Sequence, residues 1–434
     1  MTEALRDYPL RRELTDEVHA RPFARLTAPE RASHLALLSG EAGADADRAH
    51  LARLCQAFDL APPTADATHF MGDFGPFRLK WERHSEFSTY TFYRTGNSAA
   101  RPFAEPALEA VPEDWLGALP GELLVGVHAE MEPAERPARD AQGLAQIFES
   151  ENFTGSQVVG GAASAWMDFA INSDGFGRIL VSDHRLRPHQ AGRLMQRLFE
   201  IETYRMMALL AFPLAKRRAP ELGAAAGRLV AITESMAMTE AIDDERRLLE
   251  DLTALSEEIE RLAGATGYRF SAARAYYAIV RDRIEELREA RIEGYQTVRE
   301  FMDRRLAPAM RTCEAMSDRL DRLSRRLTRA GQLLRTRVDI HLEEQNRDLL
   351  RSMDRRAQLQ LRLQETVEGL SVAAITYYLV GLINYAAKAF KAGGVGLNVD
   401  LVTGLAIPVV AGLVWLGVRR IRKMIARRAG AEEG

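Results

Sequence analysis

Two long stretches near the end of the chain carry no charged residue, and they constrain the fold more than any other feature. Gly369–Ala387 runs for 19 residues and Leu401–Val418 for 18. Each, as a helix, is long enough to cross a hydrocarbon core of about 30 Å. A 13-residue connection, 388–400, separates them, and a basic tail carrying Arg419, Arg420, Arg422, Lys423, Arg427 and Arg428 follows. The pattern predicts a transmembrane hairpin, set against the alternative of a hairpin buried in a soluble bundle. Arg351, Arg355, Arg356 and Arg362 precede the first stretch, whereas the connection holds only Lys388 and Lys391. The positive-inside rule therefore predicts both termini in the cytoplasm and the connection outside. The basic tail suits anionic lipid headgroups, and Trp415 and Tyr385 suit interfacial anchors.

The rest of the chain reads as an α+β protein in sequential parts. Residues 1–186 form a mixed α/β cytoplasmic domain, 187–368 a helical, coiled-coil-like stalk, 369–418 the hairpin and 419–434 the tail. Strands are predicted at Phe77–Arg83, where Phe77, Leu79 and Trp81 alternate, at Phe87–Arg94 and at Leu123–His128. Trp166–Asn172 and Arg178–Ser182 flank Ser173-Asp174-Gly175 and read as a hairpin, and Ala49–Phe58 reads as a helix. In the stalk, Leu248, Leu252, Leu255, Ile259 and Leu262 form a heptad seam, expected to stop at the breaker Gly264-Ala265-Thr266-Gly267. A second helix is expected over Ser271–Leu306, ending before Pro308. A third, free of glycine and proline across the 37 positions 332–368, would span roughly 55 Å and run into the first apolar stretch.

Composition narrows the function. Cys55 and Cys313 stand far apart with no metal or redox spacing, which fits a reducing compartment. The N-terminal MTEALRDYPLRRELTDE has no apolar core for a secretory signal. GxSxG, GxGxxG, P-loop and HExxH motifs are absent, so neither an enzyme nor a bound cofactor is expected. The arginines of 319–337 alternate with leucines and lack interleaved aromatics, which argues against nucleic acid. The best polar constellation is Glu17, His19, Arg21 and His34 with His84 and Glu86. It suits a ligand, an anion or a metal, although buried hydrogen-bonding anchors would give the same pattern. Glu202 and Arg205 are spaced for an intrahelical pair. The acidic series from Asp243 to Glu258 reads as a solvated face or as a Mg²⁺ sensor.

Asp16-Glu17-Val18-His19-Ala20-Arg21-Pro22 and Ala28-Pro29-Glu30-Arg31-Ala32-Ser33-His34 resemble a bacterial family known as domain of unknown function 3422. Trp81–Phe87, Ile201–Met207 and Glu365–Ser371 extend the resemblance over nearly the whole chain. It implies a membrane-anchored protein and supplies no activity. More distantly, the order of parts resembles CorA-type divalent-cation channels. That family carries Gly-Met-Asn just after its first span, whereas Gly396-Leu397-Asn398 here lies late in the connection. Thr376 and Asn384, near one helical face, would line a pore in an oligomer or hydrogen-bond between helices. Two functions follow as expectations. The first is a self-associating, membrane-anchored sensor or scaffold of the bacterial inner membrane with a soluble ligand or protein partner. The second is a CorA-like homo-oligomeric channel, which would use a divalent cation such as Mg²⁺.

Overall fold

The computed structural model describes residues 6–12, 14–15, 22–98, 101–135, 139–150, 152–239, 241–394, 396 and 398–429, with side chains as far as 421. They divide into two compact units: residues up to 239 with 247–331, and 241–246 with 332–429.

The first unit is built on a nine-stranded sheet in the order β2-β3-β4-β1-β5-β8-β7-β6-β9. Its strands are β1 (Glu30–Leu38), β2 (His69–Asp73), β3 (Arg78–Arg83), β4 (Phe87–Thr95), β5 (Glu122–Glu132), β6 (Thr154–Val158), β7 (Ala163–Met167), β8 (Gly177–Asp183) and β9 (Ala290–Arg291). All ladders are antiparallel except β5 with β8. The expected strands at Phe77–Arg83, Phe87–Arg94 and Leu123–His128 are present as β3, β4 and β5. The expected hairpin forms with its first strand displaced: β7 is Ala163–Met167 rather than Trp166–Asn172, and it pairs with β8 from Ala163↔Asp183 to Met167↔Ile179, leaving 168–176 as the connection. β1 was not expected as a strand, yet it lies inside the sheet, between β4 and β5.

Because side chains alternate along a strand, one face of β1, β3 and β4 presents Leu35, Leu37, Leu79, Trp81, Tyr90 and Phe92. These pack on Leu51, Leu54 and Cys55 of α1 (Ala44–Ala57) and on Trp115 of α2 (Glu113–Gly117). Arg83 reaches the buried Asp47 of α1 at 3.0 Å, and Ser88 donates to the same carboxylate at 2.6 Å. A smaller cluster forms around Leu144, Ile147 and Phe148 of α3 (Ala141–Phe148).

The opposite face lies under α4 (Pro188–Leu209), which starts with Pro188 at its first position, where the missing N–H costs nothing. Here Gly192 allows a close backbone approach: a Cβ at this position would stand 1.7 Å from the carbonyl oxygen of Ala24. The expected Glu202–Arg205 pair forms on this helix.

Two expectations for the helices are overturned. The helix α6 (Ile242–Leu287) follows α5 (Ala211–Met238) and passes straight through Gly264–Gly267. Thr266 is buried and returns its hydroxyl to Leu262 O at 2.8 Å. Glycine in a helix costs only about 1 kcal/mol each, less than the packing of Leu252, Leu255, Ile259, Leu262, Phe270, Ala273, Val280 and Ile284, all buried. The real break falls at 288–297. Arg288 takes a positive φ of 49°, Gly294 one of 87°, and Thr297 opens α7 (Val298–Ala392) with a capping box. Glu300 N donates to Thr297 Oγ1 at 3.1 Å and Thr297 N to Glu300 Oε2 at 3.0 Å. α7 then runs through Pro308, where burial of Leu306, Ala309, Met310 and Cys313 offsets the lost backbone bond.

The second unit holds the C-terminal part of α7 and α8 (Val399–Ala429), the two helices long and apolar enough to cross a membrane. Their apolar windows are not buried within the protein. Glu245, a member of the acidic series, is buried between Arg337 at 3.1 Å and His341 at 2.8 Å. It is therefore not on a solvated face.

Replacing Gly192 with alanine is expected to lower stability by ~1–3 kcal/mol through overpacking. Gly223→Ala in α5, where a Cβ meets open space, should leave stability equal or raise it by up to ~1 kcal/mol. Denaturant unfolding of the detergent-solubilised chain, followed by tryptophan fluorescence, distinguishes the two.

Candidate functional site

Under α4 the sheet presents polar residues where a second core would ordinarily form. The register places His34, Thr91 and Lys80 side by side across β1, β4 and β3, with Thr89 and Glu82 in the next row. Facing them, Gln196, Phe199, Glu200, Thr203 and Tyr204 recur at the i, i+3, i+4, i+7, i+8 spacing of one helical face. Between these layers lies a cavity of about 240 Å³, to which α6 contributes Arg283.

The polar groups form two hydrogen-bonded sets. Lys80 Nζ donates to Gln196 Oε1 at 2.8 Å and pairs with Glu82 at 3.2 Å. Gln196 Nε2 donates to Glu200 Oε1 at 2.7 Å, and Glu200 accepts in turn from Arg283 Nε. Two cations thus balance two carboxylates. His34 bonds Thr91 Oγ1 at 2.8 Å and Thr203 Oγ1 at 2.9 Å through its two ring nitrogens, and stacks on Phe199 with centroids 4.7 Å apart. A neutral imidazole donates from one nitrogen and accepts at the other, and the hydroxyls rotate to match. Burial, with smaller contributions from His84 and Lys80, lowers its pKa to about 3.

Of the residues singled out in the sequence, His34 and His84 meet in this cavity, where His84 stacks on Phe87 at 4.2 Å. Glu86 does not line it. Its carboxylate accepts from both Nη atoms of Arg269 and from the Tyr276 hydroxyl at 2.9 Å, and burial followed by this carboxylate pushes the Tyr276 phenol up to about 12. Glu17, His19 and Arg21 lie outside the described residues. Lys80, Glu82, Gln196, Glu200, Thr203 and Arg283 were not singled out. The available signal was the alternation of Lys80 and Glu82 with Leu79 and Trp81, together with the polar face of α4.

Asp183 and His184 serve the turn after β8: Asp183 accepts from Leu186 N at 2.7 Å and His184 bonds Ser164 at 2.9 Å. Among the described residues no group of three or more His, Cys, Asp or Glu is placed to hold a metal ion.

In the second unit, Thr403 Oγ1 approaches Asn384 Oδ1 at 3.4 Å, a long contact linking the two apolar helices, while the Thr376 hydroxyl is shielded from solvent. Arg419 lies over the Trp415 ring at 5.0 Å and Arg420 is exposed. The side chains of Arg422, Lys423, Arg427 and Arg428 fall outside the described residues.

His34 makes stability pH-dependent with a definite sign. Its folded pKa, about 3, lies below the ordinary histidine value of about 6.5. Between those limits the unfolded chain binds a proton that the folded chain refuses. The contribution is complete above pH ~6.5 and is lost at ~1.4 kcal/mol per pH unit as pH falls towards 3. The stability gap between the parent and a His34→Gln variant should therefore shrink as pH is lowered from 6.5 to 4.5. A gap independent of pH in denaturant titrations would show that the imidazole is not held neutral.

No curated protein and no solved structure matches the chain. One family profile does, described as Protein of unknown function (DUF3422), and its match covers residues 6–425. With the match extending over almost the whole sequence, the sheet, its polar cavity and the two apolar helices are features of a chain that belongs to the DUF3422 family.

Proposed function

We propose that this protein is a membrane-anchored cytoplasmic sensor whose sheet domain takes up a small polar solute. The observation that carries the reading is the cavity beneath α4. A fold that needed only a core would fill this face with leucine and valine, whereas here a lysine, an imidazole and threonines are buried and hydrogen-bonded, the lysine through Gln196 to the half-buried Glu200. Small-molecule sites combine apolar walls with a few fixed polar groups, and here Phe87 and Phe199 supply the walls. Because Lys80 and Arg283 balance Glu82 and Glu200, the preferred solute is zwitterionic or neutral rather than a net anion.

The anchor is a hairpin made from the apolar part of α7 and from α8, in the bacterial inner membrane with both termini cytoplasmic. The charge asymmetry around residues 388–400 supports this orientation. The Asn384–Thr403 contact supports helix-to-helix packing within the hairpin rather than a CorA-like pore.

Two measurements test the parts separately. Alkaline carbonate washing of membranes should leave the full chain in the pellet and release a chain truncated before Gly369. Retention of the truncated chain would remove the hairpin as the anchor. Calorimetric titration of the solubilised protein with amino acids, betaines, polyols and simple anions should give saturable binding within the zwitterionic or neutral group, weakened at least tenfold in Gln196→Leu. Binding confined to anions, or unchanged in the variant, would overturn the assignment of the cavity.

A further inference from the structure

Every side chain from Leu342 to Val367 of α7 is exposed, although this stretch precedes the apolar span. At 100° per residue, Leu342, Leu349, Met353, Leu363 and Val367 fall on one side of the helix, widened by Leu350 and Leu361 on one edge and Leu359 on the other. Leu363 is 71% exposed and Leu350 65%. This arc is wider than a two-stranded seam requires, and Gln345, Asn346, Ser352, Gln360 and Gln364 are interspersed among its apolar residues. Arg356 lies within it, carried at the end of a long apolar stem that can lie along the face, and Glu343 sits at the edge beside Leu361. Among the described residues, nothing in the chain covers this face.

Its edges say what does. From Arg351 onward Asp354 and Glu365 lie towards one edge of the face and Arg355 and Arg362 towards the other, and before it the signs are exchanged, with Arg347 on the first edge and Asp348 on the second. Parallel helices in register set the edge of one against the oppositely charged edge of the next in both halves, Arg347 against Asp348 and Asp354 and Glu365 against Arg355 and Arg362. The same helix continues into the apolar span, so copies inserted in one membrane stand parallel and at equal depth. We infer that residues 342–367 form a parallel self-association surface whose occupant is a second copy of this chain. The inference rests on the membrane-anchored reading proposed above.

The test uses the full chain in native membranes, with two differently tagged copies co-expressed. Leu349→Cys and Leu363→Cys place thiols on the apolar face, and Gln358→Cys places one on the far side. Cys55 and Cys313 are buried, so the unsubstituted chain serves as background. Mild oxidation should link the two tags in the Leu349→Cys or Leu363→Cys variants and leave the Gln358→Cys variant at background. Arg355→Glu with Arg362→Glu should lower the yield at least fivefold, and adding Asp354→Arg with Glu365→Arg should restore it. Equal linkage on both sides, no linkage at either apolar position, or linkage only to a protein of different mass each overturns the proposal. Carbonate washing of the same membranes separates the two readings: retained but unlinked protein sinks only the self-association surface, whereas released protein removes the anchor and the parallel alignment with it.

Discussion

Helix α4 lies on a sheet face that carries an ammonium, an imidazole and several hydroxyls, and each polar atom enclosed there must find a partner or destabilise the fold. An unpaired buried polar group costs about 1–3 kcal/mol and a charge considerably more. The network from Glu82 through Lys80 and Gln196 to Glu200 and Arg283 meets that requirement, and so do the two threonines on His34. Satisfying these groups fixes the register of α4 over β1, β3 and β4. It also ties in α6, through Arg283 and through the Arg269 and Tyr276 contacts to Glu86. The other face of the sheet is mainly apolar, with Trp81, Tyr90 and Phe92 packed on α1 and α2, and the buried Arg83–Asp47 pair there is met by Ser88. One sheet thus carries two kinds of cohesion, a close-packed side and a hydrogen-bonded side, and the cavity belongs to the second.

This division explains what could be read from the sequence. β3, β4 and β8 with the turn before it were legible because aromatic alternation and a Ser-Asp-Gly turn are local signals, whereas β7 starts and ends earlier than its apolar run suggested. β1 was not legible, although it lies inside the sheet: Arg31, Ser33 and His34 look like a solvated or functional segment until burial on both faces is known. The same confusion hid Lys80 and Glu82, whose alternation with Leu79 and Trp81 reads as an exposed face. Six of the fourteen residues lining the cavity come from α4 and α6, far along the chain, and local pattern cannot say which helix covers which strand. Of the histidines, His34 and His84 were visible as polar anchors, but their meeting in one cavity depends on tertiary pairing.

The helices teach a complementary lesson about breakers. Gly264, Gly267 and Pro308 suggested ends that the chain does not make, because a continuous buried stripe on either side outweighs a local cost of ~1 to 3 kcal/mol. The start of the following helix was marked by a capping box, Thr297 with Glu300, whose spacing is explicit in the sequence. Glu245 gives the same lesson for charge. Within an acidic run it looks solvated, yet Arg337 and His341 enclose it.

The loop between α6 and α7 joins the two longest helices, and it is riveted rather than free. β9 adds two residues to the edge of the sheet beside β6. The Glu289 carboxylate next to it accepts from Ser156 Oγ at 2.6 Å and from the first backbone N–H groups of α7, Val298 at 2.9 Å and Arg299 at 3.0 Å. One side chain therefore clasps the sheet edge and the start of a 95-residue helix together. A twist of α7 about its own axis has to shear that clasp or carry the sheet edge with it, so torque on the helix and strain in the strands are mechanically a single variable.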